Sequence, residues 1–188
     1  MADQKFKYVP FVTGPLAARY PNLSEPDTGR EYSDDKYKTE AIDAEGHEGE
    51  VEKVIAQVKK VAKDNFGADA KKALMPFKDK DGVTILKFKS PKKKPQLTDA
   101  KGVKLPADRK VGGGSIIRIA GSIAPWKKGS KFGVSLWPDA ARVLKLVEGR
   151  DYNEAFGDDD GFDVKAEGDA FDQTDNSTSG DEDDDLAL

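Results

Sequence analysis

The sequence predicts a mainly β protein: a five-stranded barrel carrying one amphipathic helix, followed by an acidic C-terminal segment that does not fold. Three observations lead there. Apolar residues alternate at period two in several short runs bounded by Gly and Pro turns. A single run has helical spacing instead. After Gly149 the apolar residues thin out to isolated positions.

Along the chain, residues 8–20 (YVPFVTGPLAARY) are β-compatible but interrupted by Pro10, Gly14 and Pro15, and residues 21–35 form a turn-rich loop. KYKTEAI (36–42) is a short strand. From Val51, the residues Val54, Ile55, Val58, Val61 and Ala62 recur three and four apart, which predicts a helix over 48–66 stopped by Gly67. GVTILKFKS (82–90) returns to period two, with Leu86 and Phe88 on one face and Lys87 and Lys89 on the other. A basic loop (90–97) and a linker to Asp108 follow. SIIRIAGSIA (115–124) is a strong strand with Ile117, Ile119 and Ile123 inward and Arg118 outward. PWKKGSK (125–131) reads as a turn, FGVSLW (132–137) as the returning strand and ARVLKLVEG (141–149) as a last one. Gly112-Gly113-Gly114 lacks the lysine and following helix of a phosphate loop, and reads as a bulge or close backbone approach.

Charge divides the chain near residue 150. Residues 151–188 hold 15 acidic side chains and one basic, whereas 1–150 hold 30 basic and 20 acidic; within that, 71–150 hold 20 basic and 6 acidic. The expected organisation is a folded domain over 1–150 and a disordered acidic tail over 151–188. With no cysteine and a single histidine, His47, thiolate and multi-histidine metal sites are excluded, and no catalytic constellation stands out. No catalytic residue, metal or cofactor is expected. No run approaches a membrane span, and the N-terminus has no secretion signal, so a soluble protein kept inside a cell is expected.

Basic strands interleaved with aromatics suit single-stranded nucleic acid, whose handles are a phosphate chain and flat bases. The candidate binding residues are Phe77, Lys87, Lys89, Lys92, Lys93, Lys94, Arg118, Trp126, Lys127, Lys128, Lys131 and Trp137. Trp126 follows Pro125 in the expected turn, and Trp137 is out of phase with Phe132, Val134 and Leu136, so both are expected outside the core. Phe88 and Phe132 are expected inside it. In the tail, Asp181, Glu182, Asp183, Asp184 and Asp185, with Leu188, form a polyanionic end able to compete with DNA or to engage partners.

The run VGGGSIIRIAGSIAPWKKGSKFGVSL (111–136), with DGVTILKFKS (81–90) before it and an acidic C-terminus after it, resembles the replicative single-stranded-DNA-binding proteins of tailed phages; PDTGREYSDDKYK (26–38) resembles their first strand-loop-strand. The resemblance implies an OB-fold that coats single strands in replication, recombination and repair, in the cytoplasm of an infected host cell. It implies a tail that binds the phage DNA polymerase and helicase-primase, and it places the family's Pro-aromatic-Lys turn on Trp126, Lys127 and Lys128. Family tails often end in an aromatic residue; this one ends in Leu188. A second reading is an acidic-tailed interaction or chaperone protein that binds basic proteins or RNA, against which the cationic segment 71–150 counts. No dimer seam is unmistakable, and a homodimer stays open.

Overall fold

The computed structural model describes residues 6–28, 34–90 and 93–148. In chain order the elements are β1 (Val9–Val12), β2 (Leu16–Asn22), β3 (Tyr37–Asp43), α1 (Glu50–Phe66), a 3-10 turn (Gly67–Lys72), β4 (Phe77–Lys80), β5 (Val83–Ser90), β6 (Gln96–Thr98), β7 (Ile116–Lys128) and β8 (Lys131–Lys145). Five strands close a ring in the order β7–β2–β3–β5–β8 and back to β7. Within the ring only the β5–β8 contact, at Phe88 and Leu136, is parallel.

β1 and β2 behave as two halves of one bent strand. β1 pairs with β7 (Pro10 opposite Ser122, Val12 opposite Ala120), and β2 pairs with β3. The bend lies at Thr13-Gly14-Pro15. There the Gly14 amide donates to Glu50 Oε2 at 3.0 Å, and a side chain at Gly14 would run into that same carboxylate. Thr13 keeps the bend docked: its amide donates to the Ile119 carbonyl, and its hydroxyl accepts from the Ile119 amide, both at 2.9 Å.

The alternating residues point where period two requires. Leu16, Ala18, Ala41, Leu86, Phe88, Ile117, Ile119, Ile123 and Leu136 are buried inside the ring. The apolar stripe of α1, Val51, Val54, Val58 and Val61, joins the same core. Each large side chain buried there contributes roughly 1.5–3 kcal/mol. Helix α1 begins two residues later than its spacing predicts. Gly49 is left-handed at φ 87°, and the Asp43 carboxylate at the end of β3 accepts from the amides of Gly49 (3.0 Å) and Val51 (2.8 Å).

The hairpin β7–β8 departs most from the sequence expectation. Residues 125–128 are not a turn; β7 runs on to Lys128, and only Gly129-Ser130 connect it to β8. Pro125 is tolerated because it lies past the end of β1, where β8 is the paired neighbour and the missing N–H can face away from the ladder. The two strands expected over 132–137 and 141–149 are one strand, β8, interrupted by a bulge: Ala120 faces Ala140 while Gly121 faces Pro138, leaving Asp139 extra. β4 and β6 were not foreseen either. β4 makes a hairpin with β5 through Asp81 (φ 54°) and Gly82 (φ 76°), the positive-φ pair of a type I′ turn. β6, inside the expected linker, pairs in parallel with Ala140–Arg142 of β8. The Gly113-Gly114 turn reaches the barrel through the Gly114 amide, which donates to the Ala18 carbonyl at 2.8 Å.

Candidate nucleic-acid interface

Arg118, Ala120, Ser122, Trp126 and Lys128, even-numbered on β7, share the outer face of the β7–β8 hairpin with their register partners, whereas Ala124 of the same alternation is buried. From one end, Arg118 faces Arg142, Ala120 faces Ala140, Ser122 faces Trp137, Trp126 faces Gly133 and Lys128 faces Lys131. β1 adds Pro10 and Val12 along one edge and β6 adds Gln96 and Thr98 along the other. The ten-residue spacing from Arg118 to Lys128 corresponds to about 33 Å of strand.

The middle of this face is aromatic. The Tyr8 and Trp137 rings lie 5.3 Å apart at 37°, and Tyr8 is 53% exposed. Trp126 and Trp137 are each half-buried, so each has a seated edge and an open one. Gly121 makes the seat for Trp137: a side chain there would overlap the Trp137 carbonyl and crowd the Asp139 amide at 3.1 Å.

One end is cationic and hollow. Val12, Ala120 and Ala140 floor a depression of about 390 Å³ walled by Arg118, Arg142, Gln96, Thr98 and Gly102. Arg118 is held in place by its Nε, which donates to the Thr13 carbonyl at 3.0 Å, leaving its terminal nitrogens for other partners. None of the ion pairs among the described residues includes Arg118 or Arg142. Like charges in direct register destabilise a sheet, so the pair is a poor structural choice and a good anion seat.

The β3–β5 face contrasts with it. Lys38 and Lys89 are also in register, but Asp34 bridges them, and Lys38 additionally pairs with Asp27 at 2.5 Å. Burial pushes the Asp34 carboxyl up, but hydrogen bonding and charge from Lys89 and then Lys38 outweigh it and hold the group below its ordinary value. The Asp27 hydrogen bond, opposed by burial and reinforced by Asp34, raises Lys38. Glu40, opposite Lys87, is itself paired with Lys78 at 2.6 Å.

The candidate residues therefore separate. Arg118, Trp126, Lys128, Lys131 and Trp137 come together on the outer face of the hairpin. Lys127 is exposed and pairs with Phe132 on the alternate register, while Phe132 packs on Phe66 of α1 at 5.0 Å. Lys87 and Lys89 lie on the β3–β5 face, where Lys89 is paired with Asp34 and Lys87 stands in register with Glu40, whose ion pair is with Lys78 of β4. Phe77 is half-buried against the core with the Lys59 ammonium 5.9 Å from its ring centroid. Lys93 and Lys94 are exposed beside β6. Lys92 and the tail residues Asp181, Glu182, Asp183, Asp184, Asp185 and Leu188 lie outside the described residues, as does the whole of 151–188. Tyr8, Val12, Gln96 and Arg142 were missed. The alternation of Tyr8, Pro10 and Val12, and of Ala140 and Arg142, was visible; the pairing that sets them beside Trp137 and Arg118 was not.

A ring of five strands with a parallel contact between the strands that are third and fifth in chain order, β5 and β8, defines an OB-fold barrel. Solved single-stranded-DNA-binding proteins of bacteriophages share it, so the family that the sequence resembles is represented among proteins of this fold. gp2.5, a single-stranded DNA binding protein encoded by bacteriophage T7, matches with a TM-score of 0.61 at 20% identity, over 84% of this chain and 100% of its own. The single-stranded DNA-binding protein from bacteriophage Enc34 matches with a TM-score of 0.57 at 17% identity, over 83% of this chain and 97% of its own. Its complex with single-stranded DNA also gives 0.57, over 78% of this chain and 95% of that one. At these identities the likeness is one of fold. No protein-family model and no curated protein sequence matches the chain.

Proposed function

We propose that this protein binds single-stranded DNA, without catalysing a reaction on it, along the outer face of the β7–β8 hairpin. The observation that carries the reading is the uncompensated Arg118–Arg142 pair set on the same face as the Tyr8–Trp137 platform. Phosphates need fixed cations and bases need flat surfaces, and here one strand register supplies both. The OB-fold proteins similar in structure are described as single-stranded-DNA-binding, one of them in complex with that ligand. Although OB-folds commonly bind on the face of their second and third strands, those strands are β3 and β5 here, and two of their three outward lysines, Lys38 and Lys89, are engaged by Asp27 and Asp34.

The broader role follows from the resemblance and the charge pattern: a coat for single strands in phage replication, recombination and repair, acting in the cytoplasm of an infected cell. The acidic stretch 151–188, opposite in charge to the barrel, competes with DNA and recruits polymerase and helicase-primase in this reading, with the run ending at Asp185 and Leu188 as the contact. Titration of intrinsic tryptophan fluorescence with oligo(dT) tests the binding directly. Quenching that weakens as salt rises supports it; an unchanged signal at low salt removes it.

A further inference from the structure

A second depression, of about 760 Å³, opens on the far side of β6, between that strand and the segment 104–109. It shares Gln96 with the Arg118–Arg142 depression. Its cations are Lys93, Lys94, Lys104 and Arg109, against Asp139 as the carboxylate in its lining. Arg109 is engaged by Glu148, whereas none of the ion pairs among the described residues includes the three lysines.

The backbone carrying these lysines is well tied. The Ser90 hydroxyl donates to the Lys93 carbonyl at 2.6 Å and accepts from the Lys93 amide at 3.2 Å. Opposite, the Asp99 carboxylate accepts from the amides of Lys101 (2.8 Å) and Val103 (2.9 Å), and the Leu105 amide donates to the Leu97 carbonyl at 2.9 Å. Lys104 is thereby held in a bridge with Thr98 of β6. The lining has no aromatic ring; its apolar part is proline, leucine and alanine.

We propose that this depression is the second arm of the strand-binding track, gripping the phosphates of nucleotides that pass off the barrel face across Gln96. The inference rests on the outer-face reading above and extends it. Its grounds are continuity through Gln96 and charge complementarity to a polyanion. The two arms then differ in kind: the barrel face stacks bases, and the β6 arm holds backbone by charge alone, so its share of binding is independent of base and steeply dependent on salt.

The test compares wild type with Lys93→Gln/Lys94→Gln/Lys104→Gln and with a control of equal charge change on the helix side, Lys60→Gln/Lys63→Gln/Lys71→Gln. Each is titrated with oligo(dT) of about 6 and about 16 nucleotides, near the two ends of the range for one OB-fold, between about 50 and 200 mM salt. With about 0.7 per phosphate contact, the β6 variant should lose about 2 from its log–log salt slope on the longer strand. It should keep the wild-type slope on the shorter strand, with an unchanged melting temperature. Equal losses at both lengths, or a loss no larger than the helix control, would overturn the second arm. Failure of the barrel-face reading has a separate signature: short-strand affinity untouched by Trp137→Ala.

Discussion

Arg118 of β7 lies directly opposite Arg142 of β8, with no carboxylate among the described residues paired to either. The protein builds the same like-charge register at Lys38 and Lys89 but inserts Asp34 between them. One pair is neutralised by the chain itself; the other has no such carboxylate among the described residues.

Arg142→Ala should therefore weaken oligo(dT) binding and reduce the salt slope by about 0.7, while stability is unchanged or rises by a few tenths of a kcal/mol as the repulsion is relieved. Titration at several salt concentrations, paired with chemical denaturation, checks both. A large fall in stability with unchanged affinity would assign Arg142 a structural role.

Trp137→Ala and Trp126→Ala should each lower affinity by about 1–3 kcal/mol, the range for one stacked base. Tyr8→Ala should resemble Trp137→Ala, since its ring packs on that indole. The double variant should lose less than the sum, because the two rings form one platform. Additive losses would mean that the rings hold separate bases.

Gly121→Ala should destabilise the barrel by about 1–3 kcal/mol, the usual scale of overpacking, since the new methyl overlaps the Trp137 carbonyl. Because the shift falls on Trp137, binding should weaken at temperatures where the variant is still folded. Gly133→Ala, whose methyl would meet the Leu74 carbonyl at 2.5 Å, should show a comparable loss of stability. Thermal melts and oligo(dT) titrations distinguish the two.

Asp34 supplies a pH dependence whose sign is defined. Its carboxyl is held below the ordinary value of 3.8 in the folded state, so the stabilisation is complete above that value and lost as pH falls through the folded pKa. Lys38 is raised above 10.5, so its share is complete below that value and lost as pH rises through its folded pKa. Asp34→Asn should be less stable than wild type near neutrality, with the two curves converging at strongly acid pH. Denaturation across pH would show parallel curves instead if Asp34 were unpaired in solution.

Deleting 151–188 should tighten oligo(dT) binding most at low salt, and the gain should shrink as ions screen the competition. Equal affinity with and without the tail at low ionic strength would leave it a docking or solubility segment.

What the sequence determined by itself was local. Period-two alternation placed Phe88, Ile117, Ile119, Ile123 and Leu136 inside and Arg118 outside, because successive side chains on a strand must point to opposite faces. The three- and four-residue spacing located α1 for the same kind of reason. Gly129-Ser130 and Asp81-Gly82 are turns that residue chemistry alone can mark, although the sequence reading widened the first to 125–131 and missed the hairpin made by the second. Tertiary structure decided everything that depends on which strands are neighbours. Trp137 meets Tyr8, and Arg118 meets Arg142, only because β1 and β8 flank β7 in a particular register. Lys89 looked identical in kind to Lys128 and Lys131, yet it landed beside Asp34, brought in from the segment before β3. β6 carries three residues and too little pattern to be read, and it exists because β8 offers it a free edge at Ala140–Arg142. Alternation records which way a side chain points; whether a cation stays available is set by the carboxylates that distant segments bring to it, and no short-range pattern encodes them.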